Sequence, residues 1–234
     1  MPCFNEEEGI YQFVGELQEC FKGLNFLIIA VDDFSGDRTN EQLKLAQLQY
    51  GNVEFLRNTE NLGHGPSTLA GLKHAFELNP KWVLTVDGDG QFDGKQLRDG
   101  FDLFSDSELD ILEGVRVGRN DPYFRKIITW LLRVFVLFKT KSIPADANTP
   151  FRIYPIGTLD LLLHKIKPNS LVPNLEISIL SRKLNLSTLE YLVATRDRLG
   201  ANKTGTTWNS TREWLPSSRF IRFCFKAFRQ LFNL

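Results

Sequence analysis

Cysteine is scarce in this chain, and the few cysteines fall into no useful spacing. Cys3, Cys20 and Cys224 are isolated and odd in number. That excludes a zinc ribbon or a disulfide framework and fits a reducing compartment, with the cytosol as the expectation. Net charge is missing as well. Lysine plus arginine equals aspartate plus glutamate at 28 each, so overall charge points to no nucleic acid or other polyanion. Long apolar runs are also absent. The longest, Ile127 to Phe138, is a dozen residues interrupted by Arg133, whereas a spanning helix needs about 20. Such a segment can lie on a bilayer but not cross it. The opening MPCFNEEEGI is acidic where a signal peptide would be basic and then apolar, so export is not expected. There is no internal repeat or low-complexity tract.

What is present is an alternation. At 234 residues the chain is long enough for one α/β domain with appendages and short for two full domains. The runs NFLIIAVDD (25–33), NVEFLRN (52–58), KWVLTVDGD (81–89) and LDILEGVR (109–116) are short, apolar and closed by polar or turn residues, which predicts buried strands. Stretches of helical period lie between them at 6–22, 39–50, 66–79 and 94–105. This pattern predicts an α/β fold with a mostly parallel sheet flanked by helices. In such sheets ligands bind outside the carboxyl edge, near the point where strand order reverses. Asp32 and Asp33 close one strand, Asp87 and Asp89 a second and Arg116 a third. All five should therefore collect along one edge, the candidate site.

In LTVDGDGQFD (84–93), Asp87 and Asp89 are two residues apart, so a continuing strand would point both to one face, and Gly88 and Gly90 allow a sharp turn. Two carboxylates so placed repel unless a cation lies between them. Mg²⁺ or Mn²⁺, completed by substrate phosphates, is the common solution. Alone, the motif is equally compatible with a solvated acidic turn. It has company: VDDFSGDRT (31–39) carries a second acidic pair with turn and helix-cap residues, and NLGHGPSTLAGLKHA (61–75) is a glycine-containing loop opening a helix. His64 sits in that loop, where it can approach a ligand, whereas His74 and His164 read as ordinary helix residues.

With PCFNEEEG, VDDFSGDRT, NLGHG, VDGDGQFD, GVR and DANTPFRIY in this order, the chain resembles the family 2 glycosyltransferases over residues 2 to 203. It looks most like the branch containing dolichyl-phosphate mannose synthase and the bacterial polyprenyl-phosphate glycosyltransferases. The resemblance implies a GT-A, Rossmann-like fold and a nucleotide-sugar donor of the GDP-mannose or UDP-glucose type. Carried over by position, Pro2, Phe4, Glu6, Val31, Asp33 and Gly88 would line the donor pocket, with Asp33 accepting a hydrogen bond from base or ribose. Asp87 and Asp89 would hold the metal, with Gln91 beside it. Arg116, Arg125, Arg152 and Lys203 would face the phosphates of donor and acceptor. Two departures stand out. Relatives place a short apolar strand before the first motif, and here Met1 directly precedes Pro2; either the start is misassigned or the sheet lacks its first strand. RDRLGANKTG (196–205) offers both Arg196 and Arg198 to a phosphate, and Asn202 replaces the usual serine.

No extra aspartate stands where hydroxyl-directed relatives place a general base, and a phosphate acceptor removes the need for one, because a phosphate monoester with a second pKa of about 6 is already anionic. The expectation is inverting transfer of a hexose to a polyprenyl (dolichyl or undecaprenyl) phosphate on the inner membrane face. The apolar stretch 123–141 is equally compatible with a core helix. From Arg196 onward, eight basic residues stand against two acidic ones. Arg219, Arg222, Lys226 and Arg229 recur at spacings of three and four among Phe220, Ile221, Phe225, Phe228, Leu231 and Phe232. This predicts a C-terminal amphipathic helix (domain 1–205, tail 206–234) on an anionic membrane surface, with a membrane-protein partner as the alternative. Two rival readings remain: a family 2 transferase with a sugar-hydroxyl acceptor, and a non-catalytic protein that keeps the fold at the membrane surface.

Overall fold

The computed structural model describes residues 1–118, 123–200 and 218–232. In chain order the elements are β1 (Pro2–Cys3), α1 (Ile10–Cys20), β2 (Ile28–Asp32), α2 (Thr39–Tyr50), β3 (Val53–Arg57), α3 (His64–Glu77), β4 (Trp82–Thr85), α4 (Gly94–Ser105), β5 (Ile111–Val117), α5 (Tyr123–Thr140), β6 (Arg152–Pro155), α6 (Ile156–Leu163), α7 (Pro173–Lys183), β7 (Thr188–Ala194) and α8 (Ser218–Phe232). The α/β expectation holds, with helices on both faces of the sheet.

Strands β1, β2 and β3 pair in parallel, and a second group runs β4-β6-β5-β7 with β6 antiparallel to β4 and β5. Along these strands alternate side chains enter opposite cores, as a pleat requires. Leu112 and Ile153 join Phe13, Val14, Leu17, Leu97 and Phe104 of α1 and α4 on one face. Their chain neighbours Ile111 and Tyr154 join Leu69, Leu72, Leu159 and Leu162 of α3 and α6 on the other. A third, smaller cluster unites α5, α7 and α8 through Val136, Leu175, Ile179 and Leu231.

The first strand is present but reduced to two residues: Pro2 pairs with Val31 and Cys3 with Asp32. Proline is tolerated there because it opens the strand, where its missing N–H costs no ladder bond. The Gly88 N–H donates to the Pro2 carbonyl at 3.1 Å, which ties the end of β4 to β1. A Cβ at Gly88 would lie 2.4 Å from Cys3 Sγ, so this close approach requires glycine. From this junction the order runs outward to β2 and β3 on one side and to β4 on the other, making it the point where strand order reverses.

Candidate active site

The first two motifs are bonded to each other. The Asn5 N–H donates to Ser35 Oγ at 3.0 Å, the Gly36 N–H to Asn5 Oδ1 at 3.0 Å, and the Glu6 N–H to Thr39 Oγ1 at 2.8 Å. Asp32 is wholly buried and closes its own turn by accepting from the Ser35 N–H at 3.0 Å. Asp33 organises the glycine loop instead: its carboxylate accepts from Asn58 Nδ2 at 2.8 Å and from the N–H groups of Leu62 at 2.9 Å and Gly63 at 2.8 Å. The loop thereby delivers His64, first residue of α3, with its Nε2 at 3.6 Å from Asp87 Oδ1.

Asp87, Asp89 and Glu6 form an acidic centre beside the β1–β4 junction. Asp89 is buried; its Oδ1 accepts the Gln91 N–H at 3.1 Å, and its Oδ2 receives Arg198 Nε at 3.1 Å and Nη2 at 3.0 Å. Arg198 Nη1 lies 3.4 Å from Glu6 Oε1. Burial, reinforced by the neighbouring Asp87 charge, raises the Asp89 pKa despite the guanidinium. Burial likewise pushes Glu6 up to about 7 against the pull of Arg198, with Asp89 and Asp87 adding to the rise. Asp87 Oδ1 is buried with no hydrogen-bond partner.

Several expected site residues lie elsewhere. Val31 is wholly buried, and a Cβ at Gly71 would sit 3.2 Å from its Cγ2, so it packs beneath α3 rather than lining a donor pocket. Gly88 serves the strand junction. Arg152 is also wholly buried: it donates to Glu113 Oε1 at 3.3 Å, to the Thr149 and Ala147 carbonyls at 2.5 and 3.3 Å, and to Ser178 Oγ at 2.8 Å. A guanidinium so enclosed cannot reach a phosphate, and its placement among the phosphate ligands is corrected. Arg116 lies at the end of β5 and grips Asp146 with two hydrogen bonds, at 2.6 and 3.0 Å. Arg196 turns to Glu16 at 2.5 Å and to the Gly90 carbonyl at 2.7 Å, so of the two arginines it is Arg198 that meets the acidic centre. Pro2 contributes its carbonyl to the junction, and Phe4, directly after β1, is half-buried. The Arg125 side chain and Lys203 lie outside the described residues. Sequence reasoning did not foresee the Glu6–Arg198–Asp89 contact, which no local spacing announces.

The donor set suits a hard divalent cation. Asp87 offers an unsatisfied buried oxygen, and Asp89 stands two residues on. Among the described residues no group of three His, Cys, Asp or Glu could hold a metal by itself. Two carboxylates with further oxygens from a phosphorylated ligand match the usual Mg²⁺ or Mn²⁺ arrangement.

The sequence model described as Glycosyl transferase family 2 matches residues 1–159. The chain belongs to glycosyl transferase family 2. Two curated relatives are similar to this family 2 chain: the undecaprenyl-phosphate 4-deoxy-4-formamido-L-arabinose transferase of Edwardsiella ictaluri, 25% identical over 190 residues, and the uncharacterized glycosyltransferase YkoT of Bacillus subtilis, 33% identical over 135. These matches cover 80% and 54% of the chain but only 57% and 40% of the relatives, so it spans about half their length. Among solved structures, glucosyl-3-phosphoglycerate synthase from Mycobacterium tuberculosis, with Mn²⁺, UDP and glucosyl-3-phosphoglycerate, aligns with a TM-score of 0.61 at 14% identity, covering 86% of this chain and 70% of that one. Mannosyl-3-phosphoglycerate synthase from Rubrobacter xylanophilus aligns at 0.58 and 13% identity, covering 100% and 74%. At these identities the likeness is one of fold, the GT-A arrangement.

Proposed function

We propose that this family 2 protein is an inverting, metal-dependent glycosyltransferase that moves a hexose from a nucleotide sugar to a polyprenyl phosphate on the cytoplasmic face of a membrane. The observation that carries the donor half is the Asp87–Asp89 pair, set at the strand-order reversal with Arg198 against it. Asp87 and Asp89 would hold Mg²⁺ or Mn²⁺, whose charge, when bound, stabilises the leaving diphosphate. Asp33 holds the glycine loop that brings His64 Nε2 to 3.6 Å from Asp87 Oδ1. In the transfer, an oxygen of the acceptor phosphate forms a bond to the anomeric carbon as the bond from that carbon to the diphosphate breaks, and the nucleoside diphosphate departs with the electron pair. An already ionised phosphate needs no residue to take a proton, so the chain's task reduces to alignment and charge compensation. Arg125, Arg198 and Lys203 are the cations assigned to it, with Arg116 fixed by Asp146 at the same edge.

A lipid acceptor is supported by the name of the Edwardsiella relative and by exposed apolar side chains on two neighbouring helices. Trp130, Leu131 and Phe138 of α5 and Phe225, Phe228 and Phe232 of α8 all face solvent, Phe138 at 85% exposure and Phe225 at 74%. No helix among the described residues is long and apolar enough to cross a membrane. We therefore assign 1–205 as the transferase domain and 206–234 as a tail that rests on an anionic leaflet. The paired β1 supports an intact sheet edge beside the site and favours the enzyme over the non-catalytic reading. A donor screen with purified protein, Mn²⁺ and short-chain polyprenyl phosphate tests this reading. Sugar-lipid formation from one nucleotide sugar is the expected result; transfer only to hydroxyl acceptors would overturn the acceptor assignment.

A further inference from the structure

Residues 195–200 form a strap across the acidic centre, built in by close packing. Phe92 and Thr195 form an isolated bridge, the Arg196 N–H donates to the Gln91 carbonyl at 3.0 Å, and the Leu199 N–H donates to the Asp89 carbonyl at 3.1 Å. A Cβ at Gly9 would lie 2.4 Å from the Leu199 carbonyl oxygen, and one at Gly90 would lie 2.5 Å from Leu199 Cδ1. Two glycines thus admit Leu199, and the strap is seated by backbone as well as by charge.

Its two arginines are used differently. Arg196 anchors the strap on Glu16 and the Gly90 carbonyl, away from Asp87 and Asp89. Arg198 sends two donors to one oxygen, Asp89 Oδ2. A carboxylate oxygen has two lone pairs, so this contact uses the accepting capacity of Oδ2, while Oδ1 is shared with the Gln91 N–H. A cation coordinated by Asp89 needs that same electron density, and a dication beside a guanidinium is repelled by it.

We infer that Arg198 is a displaceable internal counter-cation: it and the divalent cation compete for Asp89 Oδ2, and the cation binds by driving Arg198 off. This rests on the metal assignment proposed above and adds what that assignment leaves open, the order of events. Bare cation is disfavoured because its entry takes Arg198 off Asp89 Oδ2 and leaves the guanidinium only its longer contact with Glu6 Oε1, 3.4 Å from Nη1. A nucleoside diphosphate removes that penalty by giving the released guanidinium an anion to pair with. The strap thereby couples metal binding to the presence of donor, and Arg196 keeps it in place while Arg198 swings.

The test is Mn²⁺ binding to the full chain without nucleotide, read as loss of the free-Mn²⁺ electron paramagnetic resonance signal at constant ionic strength. Arg198→Gln should bind Mn²⁺ about tenfold more tightly than wild type, the equivalent of one charged hydrogen-bonded contact of about 1.4 kcal/mol. Arg196→Gln removes the same unit of charge nearby and should leave Mn²⁺ affinity within about twofold of wild type, a change of well under 1 kcal/mol. If Arg198→Gln does not fold, Arg198→Lys, with a single compact donor group, should still bind more tightly than wild type. Equal or weaker Mn²⁺ binding by the Arg198 variants, in the face of measurable wild-type binding, overturns the competition and leaves the metal site standing. Mn²⁺ binding in none of the proteins overturns both the metal assignment and the competition.

Discussion

Lys139 Nζ donates to the carbonyl oxygen of Phe232 at 2.8 Å, so α5 holds the last turn of α8 across 93 positions of sequence. The ammonium meets an orphan helix carbonyl at the negative end of the helix dipole. Nearby, Phe135 and Phe228 bring their rings to 5.1 Å, and Ala227 and Leu231 are buried against the domain. The C-terminal helix is therefore docked by one side, while Phe225 and Phe232 remain open on another.

From this arrangement the protein is expected to sediment with vesicles containing anionic lipid. Reversing Arg219, Arg222, Lys226 and Arg229 to glutamate should release it at low salt, since each basic residue near such a surface contributes about 1 kcal/mol. Co-sedimentation at two salt concentrations measures this. A reversed protein that pellets like wild type at both would show that the basic stripe is not the membrane contact, leaving α8 to pack on its own domain or on a partner.

Asp89→Asn should abolish sugar transfer, by at least about a hundredfold, while far-UV circular dichroism stays unchanged, because an amide is a poor ligand for a hard cation. Excess chelator should do the same to wild type. Full turnover in either case would remove the metal from the reaction.

Glu113 predicts an acid-sensitive core. Burial alone would raise its pKa, but the guanidiniums of Arg152 and Arg182, with hydrogen bonds from Arg182 and Ser178, outweigh that and hold it below the usual carboxylate range. A depressed folded-state pKa means the stabilisation is fully present above the unfolded value of about 4.3 and is lost as pH falls through the folded value. Glu113→Gln leaves Arg152 and Arg182 without their shared buried carboxylate and should cost about 3–5 kcal/mol near neutral pH. Urea denaturation at pH 7 and pH 4 checks both statements: the variant's deficit should shrink toward the lower pH.

Gly65→Ala should destabilise the start of α3. The added Cβ would lie 2.4 Å from the Leu171 carbonyl oxygen, and its three nearest neighbours are all backbone atoms of Ser170 and Leu171, which leaves little room to yield. A cost of about 1–3 kcal/mol, or roughly 2–12 °C in melting temperature, is expected. An unchanged thermal melt would mean that the loop before α7 adjusts freely.

The residues themselves determined the first half of the chain. Helices read at 39–50 and 94–105 are α2 and α4, and the strand runs 25–33, 52–58, 81–89 and 109–116 contain β2, β3 and β4 and most of β5. Those segments bury whole faces locally, so apolar period and turn residues specify them without help from afar. The carboxyl-edge position of Asp87 and Asp89 follows from the same signals. Strands β6 and β7 went unread because RIYP opens on a charged residue and TLEYLVA is partly exposed. Their strand state depends on β5, which pairs with both.

Tertiary structure alone decided which charges meet. Arg152, Val31 and Gly88 occupy motif positions that suggested ligand contact, yet Glu113 lies 39 residues before Arg152 and neutralises it in the core. Arg198 stands 109 residues after Asp89 and still provides its counter-charge. An ion pair is set by distance through space and by the burial of both partners, quantities that a linear pattern of residue types does not contain.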